Sequence, residues 1–236
     1  MSIPADAGRP LTARGLTLRS ARGTVFGPVD FDLPTGVPGV VLGTQGSGRS
    51  AFLLSLVGRM QGALGELHLG EVDGIRHPHR LRRATAVAHI SGYVELEPAL
   101  TVAEAVDERC LLDGLPRREG RRRLAELQDA VGFHPDPKAT VGSLPAEEVT
   151  VLTCLLACLR PAEVVVYDDL DTSLTTPQLE RVHHVLDVLC SLGHRFVVSA
   201  LASSPVPAGA VVLALPTPGQ VDPEPAQEPD PTSQED

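Results

Sequence analysis

The alternation of hydrophobic and polar residues is clearest near the beginning of the chain and later gives way to continuous apolar runs. Residues 12–33 alternate in two short runs around Gly23, which is typical of half-buried antiparallel strands. The later runs are apolar throughout, as in strands of parallel sheets that are buried on both faces. These buried strands are predicted at residues 40–42, 164–167, 196–199 and 210–214.

Helical periodicity appears between the predicted strands. Helices are predicted at residues 51–57, 147–159 and 177–192. Residues 65–75 predict a β-hairpin with Asp73 and Gly74 at its turn. Strands that alternate with helices predict an α/β fold with a mostly parallel sheet, preceded by an antiparallel β part.

A small helical region interrupts this alternation. Thr101 and Glu104 have the spacing of a capping box and predict the start of a helix. Turn residues at Pro116 and Gly132 then delimit a helical subdomain. We therefore expect an N-terminal tail at 1–10, one domain at 11–215 with its helical subdomain at about 101–146, and a disordered, acidic, Pro-rich tail at 216–236.

The composition favours a cytoplasmic globular protein without a nucleic-acid partner. The 236 residues are 42% hydrophobic but include only five Phe, two Tyr and no Trp, so the core must be aliphatic. Of the 30 acids, six lie in the tail at 216–236, which leaves 24 acids against 20 basic residues in the rest. The chain therefore lacks the excess of basic residues that would indicate a nucleic-acid partner. The N-terminus lacks an apolar segment, and the longest apolar stretch, 149–159, is too short to span a bilayer.

Cysteine and histidine residues do not form a convincing metal site. Cys154 and Cys158 are four residues apart in an apolar helix, which predicts stacked core residues. His77 and His79 flank Pro78, which is expected to point the two side chains apart, and no acidic cluster accompanies them. A metal site at these histidines is the less favoured interpretation.

Residues 43–50 have the pattern of a phosphate-binding loop between a strand and a helix. Backbone N–H groups of such a loop, and the positive end of the helix dipole, attract phosphate oxygens. Ser50 stands where the pattern places a magnesium-binding hydroxyl, and Arg49 stands where a lysine would reach the terminal phosphates. A tight turn that merely uses glycines is the alternative. The candidate nucleotide-binding residues are Gly43, Thr44, Gln45, Gly46, Ser47, Gly48, Arg49 and Ser50.

A pair of acids follows the buried strand at 164–167. Asp168 and Asp169 are expected at the carboxyl edge of the sheet, where a magnesium ion would lie beside bound phosphates. Asp168 is therefore a candidate magnesium ligand together with Ser50. The alternative is an acid that only caps the following turn.

In the order of its predicted strands, phosphate loop, hairpin and helical subdomain, the chain resembles the ATP-binding subunits of ABC transporters over about residues 11–215. The resemblance rests on the loop at 43–50, the hairpin at 65–74, the entry into the helical subdomain at 100–104, the helix at 147–159 and the strand that ends at Asp168. It implies a P-loop NTPase core with an inserted helical subdomain, and ATP and Mg²⁺ as ligands. It also implies a dimer with another ABC-type subunit, a membrane permease partner at the inner face of the membrane, and Asp169 in the place of the catalytic glutamate.

The chain departs from that family at positions that contact ATP. Asp169 is one methylene shorter than glutamate, and a general base must lie within hydrogen-bond reach of the proton it takes. The family's glutamine before the helical subdomain corresponds to Ser91 or Gly92. Arg19-Ser20-Ala21 stand where the family has an aromatic ring that stacks on adenine, and Leu144-Pro145-Ala146-Glu147-Glu148 correspond to the family's LSGGQ signature segment, which contacts the γ-phosphate on the partner subunit. Thr175 stands in the place of an aspartate, and Ala200 stands in the place of a histidine.

These differences leave two hypotheses of function. The first is an ATP-binding transporter subunit with weak or absent hydrolysis, in which Asp169 is a poor base. The second is a non-hydrolysing structural or regulatory partner of a membrane protein or of a competent ATPase subunit. A heteromer is favoured because a partner with an intact signature would complete one site. A GTPase or a small-molecule kinase built on the same loop is disfavoured, because the chain has no guanine-reading NKxD-like segment.

Overall fold

The computed structural model describes residues 9–215, so the predicted acidic tail and all but the last two residues of the predicted N-terminal tail lie outside the described residues. The strands, in chain order, are β1 (Leu11–Ser20), β2 (Gly23–Leu33), β3 (Gly39–Gly43), β4 (Ala63–Leu69), β5 (Val72–Asp73), β6 (Thr85–His89), β7 (Val164–Tyr167), β8 (Phe196–Leu201) and β9 (Val211–Ala214). The α-helices are α1 (Arg49–Leu56), α2 (Pro78–Ala84), α3 (Val102–Leu112), α4 (Arg117–Val131), α5 (Ala146–Ala157) and α6 (Thr176–Ser191).

The strands form two sheets of different kinds. The first is antiparallel and has the order β2-β1-β4-β5. The second has the order β6-β7-β8-β3-β9, and its neighbouring strands all run parallel. The predicted α/β class, with a parallel sheet and an N-terminal antiparallel part, is confirmed.

Two hydrophobic clusters lie on opposite faces of the parallel sheet. Val164 and Val166 of β7 face the antiparallel sheet, whereas Val165 faces helices α3 to α6. Helix α1 is buried between the two sheets, and its Phe52 packs edge-on against Phe26 of β2 with ring centroids 5.3 Å apart. An apolar helix directly after the glycine-rich loop therefore lies in the core, as predicted.

The helical part begins at the predicted capping box. The Thr101 hydroxyl accepts the N–H of Glu104 at 3.2 Å, and the Glu104 carboxylate accepts the N–H of Thr101 at 2.8 Å. Cys154 and Cys158 of α5 are buried, and burial raises the pKa of both thiols. Their predicted place in the core is confirmed. No helix within residues 9–215 is long and apolar enough to cross a membrane.

Two details of the predicted structure need correction. The hairpin turn lies at Gly70 and Glu71 rather than at Asp73 and Gly74. The Asp73 carboxylate instead accepts the N–H groups of Ile75 and Arg76 at 3.0 and 2.9 Å, which turns the chain after β5. Strand β6 and helix α2 were not predicted, because both are short and rich in alanine or arginine.

Candidate functional site

The parallel sheet brings the predicted site residues together at one edge. Strands β3, β7 and β8 are neighbours and run in the same direction, so the segments after them meet. The glycine-rich loop follows β3, and Asp168 and Asp169 follow β7. This edge is where open α/β sheets bind ligands.

The glycine-rich loop is tightly curved and leads directly into α1. Gly46 and Gly48 have φ angles of 80° and 85°, in the left-handed region that glycine tolerates best. A Cβ atom at Gly48 would collide with the carbonyl of Val25, so the loop packs against the antiparallel sheet. Helix α1 has no side-chain cap at its N-terminus. The N–H groups of its first turn are therefore left to a ligand or solvent.

Arg49 folds back across the site instead of extending into solvent. Its side chain is only 9% exposed, and its Nη2 lies 2.8 Å from Oδ1 of Asp169. Its Nη1 is buried and has no hydrogen-bond partner among the described residues. Ser50, the next residue, is exposed.

Asp168 is fully buried and is held by Ser199 of β8. The Ser199 hydroxyl donates to Oδ1 of Asp168 and accepts the N–H of Asp169 at 2.8 Å. Oδ2 of Asp168 has no partner within residues 9–215. A buried carboxylate oxygen without a partner is costly unless a cation or donor can reach it.

Asp169 occupies a constrained position next to Asp168. Its φ angle is 52°, a left-handed conformation that is uncommon for residues other than glycine. Burial raises the pKa of its carboxyl group, and the charge of Asp168 adds to this effect, while Arg49 opposes it. The Ser91 hydroxyl donates to its Oδ2 at 3.4 Å. Of the two positions considered for the family's glutamine, Ser91 therefore contacts the site, whereas Gly92 donates its N–H to Glu95.

These groups have the chemistry that a phosphate and a divalent cation require. The loop offers backbone donors, Arg49 offers an unused donor, and Asp168 offers an unused acceptor. A buried hydroxyl, Ser47 Oγ, also lacks a partner among the described residues. Magnesium prefers oxygen ligands and is commonly held by one or two protein oxygens plus phosphate oxygens. Ser50 and Asp168 are the two protein oxygen donors that the sequence suggested for such an ion.

The segment that corresponds to the signature is already engaged within the domain. Pro145 precedes α5, and Glu147 and Glu148 lie in the first turn of that helix. Glu147 is paired with Arg181 of α6 at 2.6 Å, and this contact lowers the pKa of the Glu147 carboxyl group. Two acids at this helix N-terminus would repel a phosphate.

The remaining positions compared with the family have other roles. Thr175 caps α6 through a capping box with Gln178, and Ala200 is buried in β8. Arg19 and Ser20 end β1. The rings of His77 and His79 are 6.1 Å apart, closer than expected. Within residues 9–215 no group of three or more His, Cys, Asp or Glu could hold a metal ion.

Two residues that the sequence did not single out connect the site to β8. Ser199 holds both acids, as described above. Asp171 accepts the N–H of Leu201 at 3.0 Å and the hydroxyl of Ser204. A serine inside the apolar run of β8 was the signal that could have indicated the role of Ser199.

Known proteins with similar sequences are ATP-binding proteins of sugar importers. The chain is 29% identical over 159 residues to a ribose import ATP-binding protein of Rhizobium meliloti, and this match covers 67% of the chain. It is 30% identical over 161 residues to a putative ribose/galactose/methyl galactoside import ATP-binding protein of the same organism, covering 65% of the chain. The chain spans about a third of the length of these curated relatives, 31% in both cases. No protein-family model matches the chain.

Solved structures with the same fold are ATP-binding cassettes. The cbiO1 protein from Clostridium perfringens, described as part of the ABC transporter complex cbiONQ, aligns with a TM-score of 0.70 at 14% identity, covering 89% of this chain and 87% of that one. The dimeric structure of a bacterial ABC transporter cassette aligns with a TM-score of 0.64 at 16% identity, covering 80% and 87%. At these identities the structural likeness concerns the fold.

Proposed function

We propose that this chain is an ATP-binding subunit of an ABC membrane transporter whose hydrolysis is weak or absent, because its sequence is similar to import ATP-binding proteins and its fold is similar to that of ABC transporter cassettes. The single observation that supports ATP binding most strongly is the set of unpartnered buried polar atoms, Arg49 Nη1, Asp168 Oδ2 and Ser47 Oγ, in one glycine-rich site. The phosphates would be bound by Gly43, Thr44, Gln45, Gly46, Ser47, Gly48, Arg49 and the N–H of Ser50.

Ser50 and Asp168 would hold magnesium, which would neutralise charge on the phosphate oxygens. The exposed Ser50 hydroxyl and the free Oδ2 of Asp168 are the protein oxygens suited to that role. Ser199 would keep the Asp168 carboxylate oriented, since it already donates to Oδ1.

The proposal of weak hydrolysis rests mainly on the ion pair and the short side chain of Asp169. It is the residue in the position of the general base, but its carboxylate is paired with Arg49 and its side chain is one methylene shorter than glutamate. Ala200 carries no polar group for the terminal phosphate, and Ser91 offers a hydroxyl in place of an amide. Each loss removes a contact of the kind that stabilises a phosphoryl-transfer transition state.

The proposed partners are a membrane permease subunit and a second ABC-type subunit, with the protein at the inner face of the cell membrane. A heteromer is proposed because the acids Glu147 and Glu148 disfavour phosphate at the N-terminus of α5. A partner with an uncharged segment there would complete the site of this chain. Native mass spectrometry that showed a stable ATP-bound homodimer would contradict this assignment.

The non-hydrolysing structural or regulatory partner is the second candidate, and the Arg49–Asp169 ion pair favours it. In that case nucleotide would bind without turnover, or would not be needed.

Thermal unfolding with Mg-ATP tests the binding proposal. At a ligand concentration of 100 times Kd, binding adds about 2.7 kcal/mol to the free energy of unfolding. For a domain of this size the expected rise in Tm is about 5–10 °C. Asp168→Asn should bind ATP with little dependence on magnesium, whereas Asp136→Asn, a control in an exposed loop, should behave like the wild type. No rise in Tm at millimolar Mg-ATP would contradict the proposal.

Phosphate release separates the two candidates. A rate of phosphate release by the wild type above that of Asp168→Asn would support a slow ATPase. Equal rates for the two proteins would support the non-hydrolysing structural or regulatory partner.

A further inference from the structure

Arg49 and Asp169, which come from two different parts of the fold, form an ion pair within the candidate site. Arg49 comes from the start of α1, and Asp169 comes from the end of β7. Their closest atoms are 2.8 Å apart, and the exposed fractions of the side chains are 9% and 29%. Arg49 is thus the cation of the loop and is already neutralised by a carboxylate of the same chain.

Asp169 is fixed in this position by its surroundings. The Ser199 hydroxyl accepts its N–H at 2.8 Å, and the Ser91 hydroxyl approaches its Oδ2 at 3.4 Å. The φ angle of 52° is a left-handed conformation that residues other than glycine adopt uncommonly, and these contacts stabilise it. The Ser199 hydroxyl therefore holds the backbone of Asp169, and the Ser91 hydroxyl contacts the carboxylate that faces Arg49.

We propose that Asp169 is an internal competitor of phosphate, whose carboxylate must leave Arg49 before a nucleotide can bind fully in the loop. This inference rests on the proposed function, since it names a control on the same site. A terminal phosphate and the Asp169 carboxylate carry the same sign of charge and need the same guanidinium. Asp168 precedes Asp169 in the chain, and its negative charge would add to the repulsion of a phosphate until a cation neutralised it.

The competition differs from a general effect of negative charge near the site. Asp171 is only two residues further along the chain, but its carboxylate accepts the N–H of Leu201 and the hydroxyl of Ser204. It makes no ion pair with Arg49 among the described residues. Removing the charge of Asp171 changes the local field but frees no donor of Arg49, so Asp171→Asn is a matched control.

Isothermal titration of the full chain with Mg-ATP tests the inference. Asp169→Asn keeps the shape of the side chain and removes its charge, and we expect its Kd to be about tenfold lower than that of the wild type, equivalent to about 1.4 kcal/mol. Asp171→Asn should change Kd by less than about twofold. In an Arg49→Met background, Asp169→Asn should have no effect on Kd, because the guanidinium for which the carboxylate and the phosphate compete is absent.

The possible results separate a failure of the proposed competition from a failure of the proposed ATP binding. Equal Kd values for the wild type and Asp169→Asn would overturn the competition and leave ATP binding intact. Equal gains in Asp169→Asn and Asp171→Asn, or weaker binding by Asp169→Asn, would overturn it as well. If neither the wild type nor Asp169→Asn bound Mg-ATP at millimolar concentration, the proposed function itself would fail, and the inference with it. Asp169→Ala provides a second variant if Asp169→Asn does not fold, which circular dichroism would show.

Discussion

Replacing Ser199 by alanine should destabilise the domain through the loss of one hydroxyl group. This hydroxyl is fully buried, donates to the fully buried Asp168, and accepts the N–H of Asp169. Alanine would leave Asp168 with no partner for either carboxylate oxygen in the described part of the chain. The side chain shortens by a single atom, so a cavity contributes little.

The magnitude follows from the two contacts. A hydrogen bond to a charged group contributes about 1.5–3 kcal/mol, and a buried polar group left without a partner costs about 1–3 kcal/mol. Because both penalties fall partly on the same carboxylate, we expect a loss of about 3 kcal/mol in the free energy of unfolding. For a domain of this size that corresponds to a decrease in Tm of about 6–12 °C.

Urea unfolding of Ser199→Ala should show a lower midpoint with an unchanged slope. The matched control is Ser55→Ala, because the Ser55 hydroxyl is also buried but donates only to the carbonyl of Ala51 in its own helix. Alanine there leaves no polar group stranded and improves helix propensity, so the expected change is within about 0.5 kcal/mol. A loss in Ser199→Ala no larger than that of Ser55→Ala would refute the role of Ser199 in holding Asp168.

Three further predictions concern the loop, the buried histidines and the thiols. Gly46→Ala should cost about 1–2 kcal/mol from its positive φ alone, whereas Gly48→Ala should cost about 1–3 kcal/mol more, because its Cβ would also collide with the Val25 carbonyl; urea midpoints that ranked the two variants equally would contradict this. Burial lowers the pKa of His183 and His194 in the folded protein, so the unfolded chain binds more protons below about pH 6.5, and the free energy of unfolding should fall as the pH decreases from about 7 to 5. His194→Gln should make that decrease shallower in urea unfolding at several pH values. Native protein should not react with an aromatic disulfide reagent, because all four thiols are buried and burial raises the pKa of Cys190 to about 11, and four thiols per chain should react in concentrated urea.

The hydrophobic pattern was sufficient to predict the class of fold, because each sheet leaves a different pattern in the sequence. Alternation marked β1 and β2, where one face is buried, and continuous apolar runs marked β7 and β8, where both faces are. Strand β6 was not predicted from the sequence, because its alanines are compatible with a helix or a strand and its neighbouring elements are short. The turn of the hairpin was misplaced because Asp73 and Gly74 have turn chemistry, which here acts after the strand.

The motifs predicted where the candidate site residues lie in the fold, but they did not predict the contacts between them. Motifs specify which residues lie at the carboxyl edge of the sheet, since strand direction determines that. They do not specify that Arg49 reaches Asp169, because that contact depends on a left-handed backbone at Asp169 and on the fork of an arginine. The sequence likewise did not predict that Ser91 contacts Asp169 and that Gly92 instead donates its N–H to Glu95.

If hydrolysis is weak or absent, as proposed, the positions responsible differ in how easily they could be changed back, because some lie in loops at the sheet edge and one lies in a hydrophobic cluster. Arg49→Lys and Asp169→Glu change side chains that lie on loops or at a helix start, outside both clusters. Such reversions should leave the fold intact and could be made one at a time. Ala200 is different, because it is 5% exposed and belongs to the cluster beneath α5 and α6. A histidine there would have to be accommodated by repacking, so under the proposed function the change hardest to make would be at Ala200 rather than in the phosphate loop.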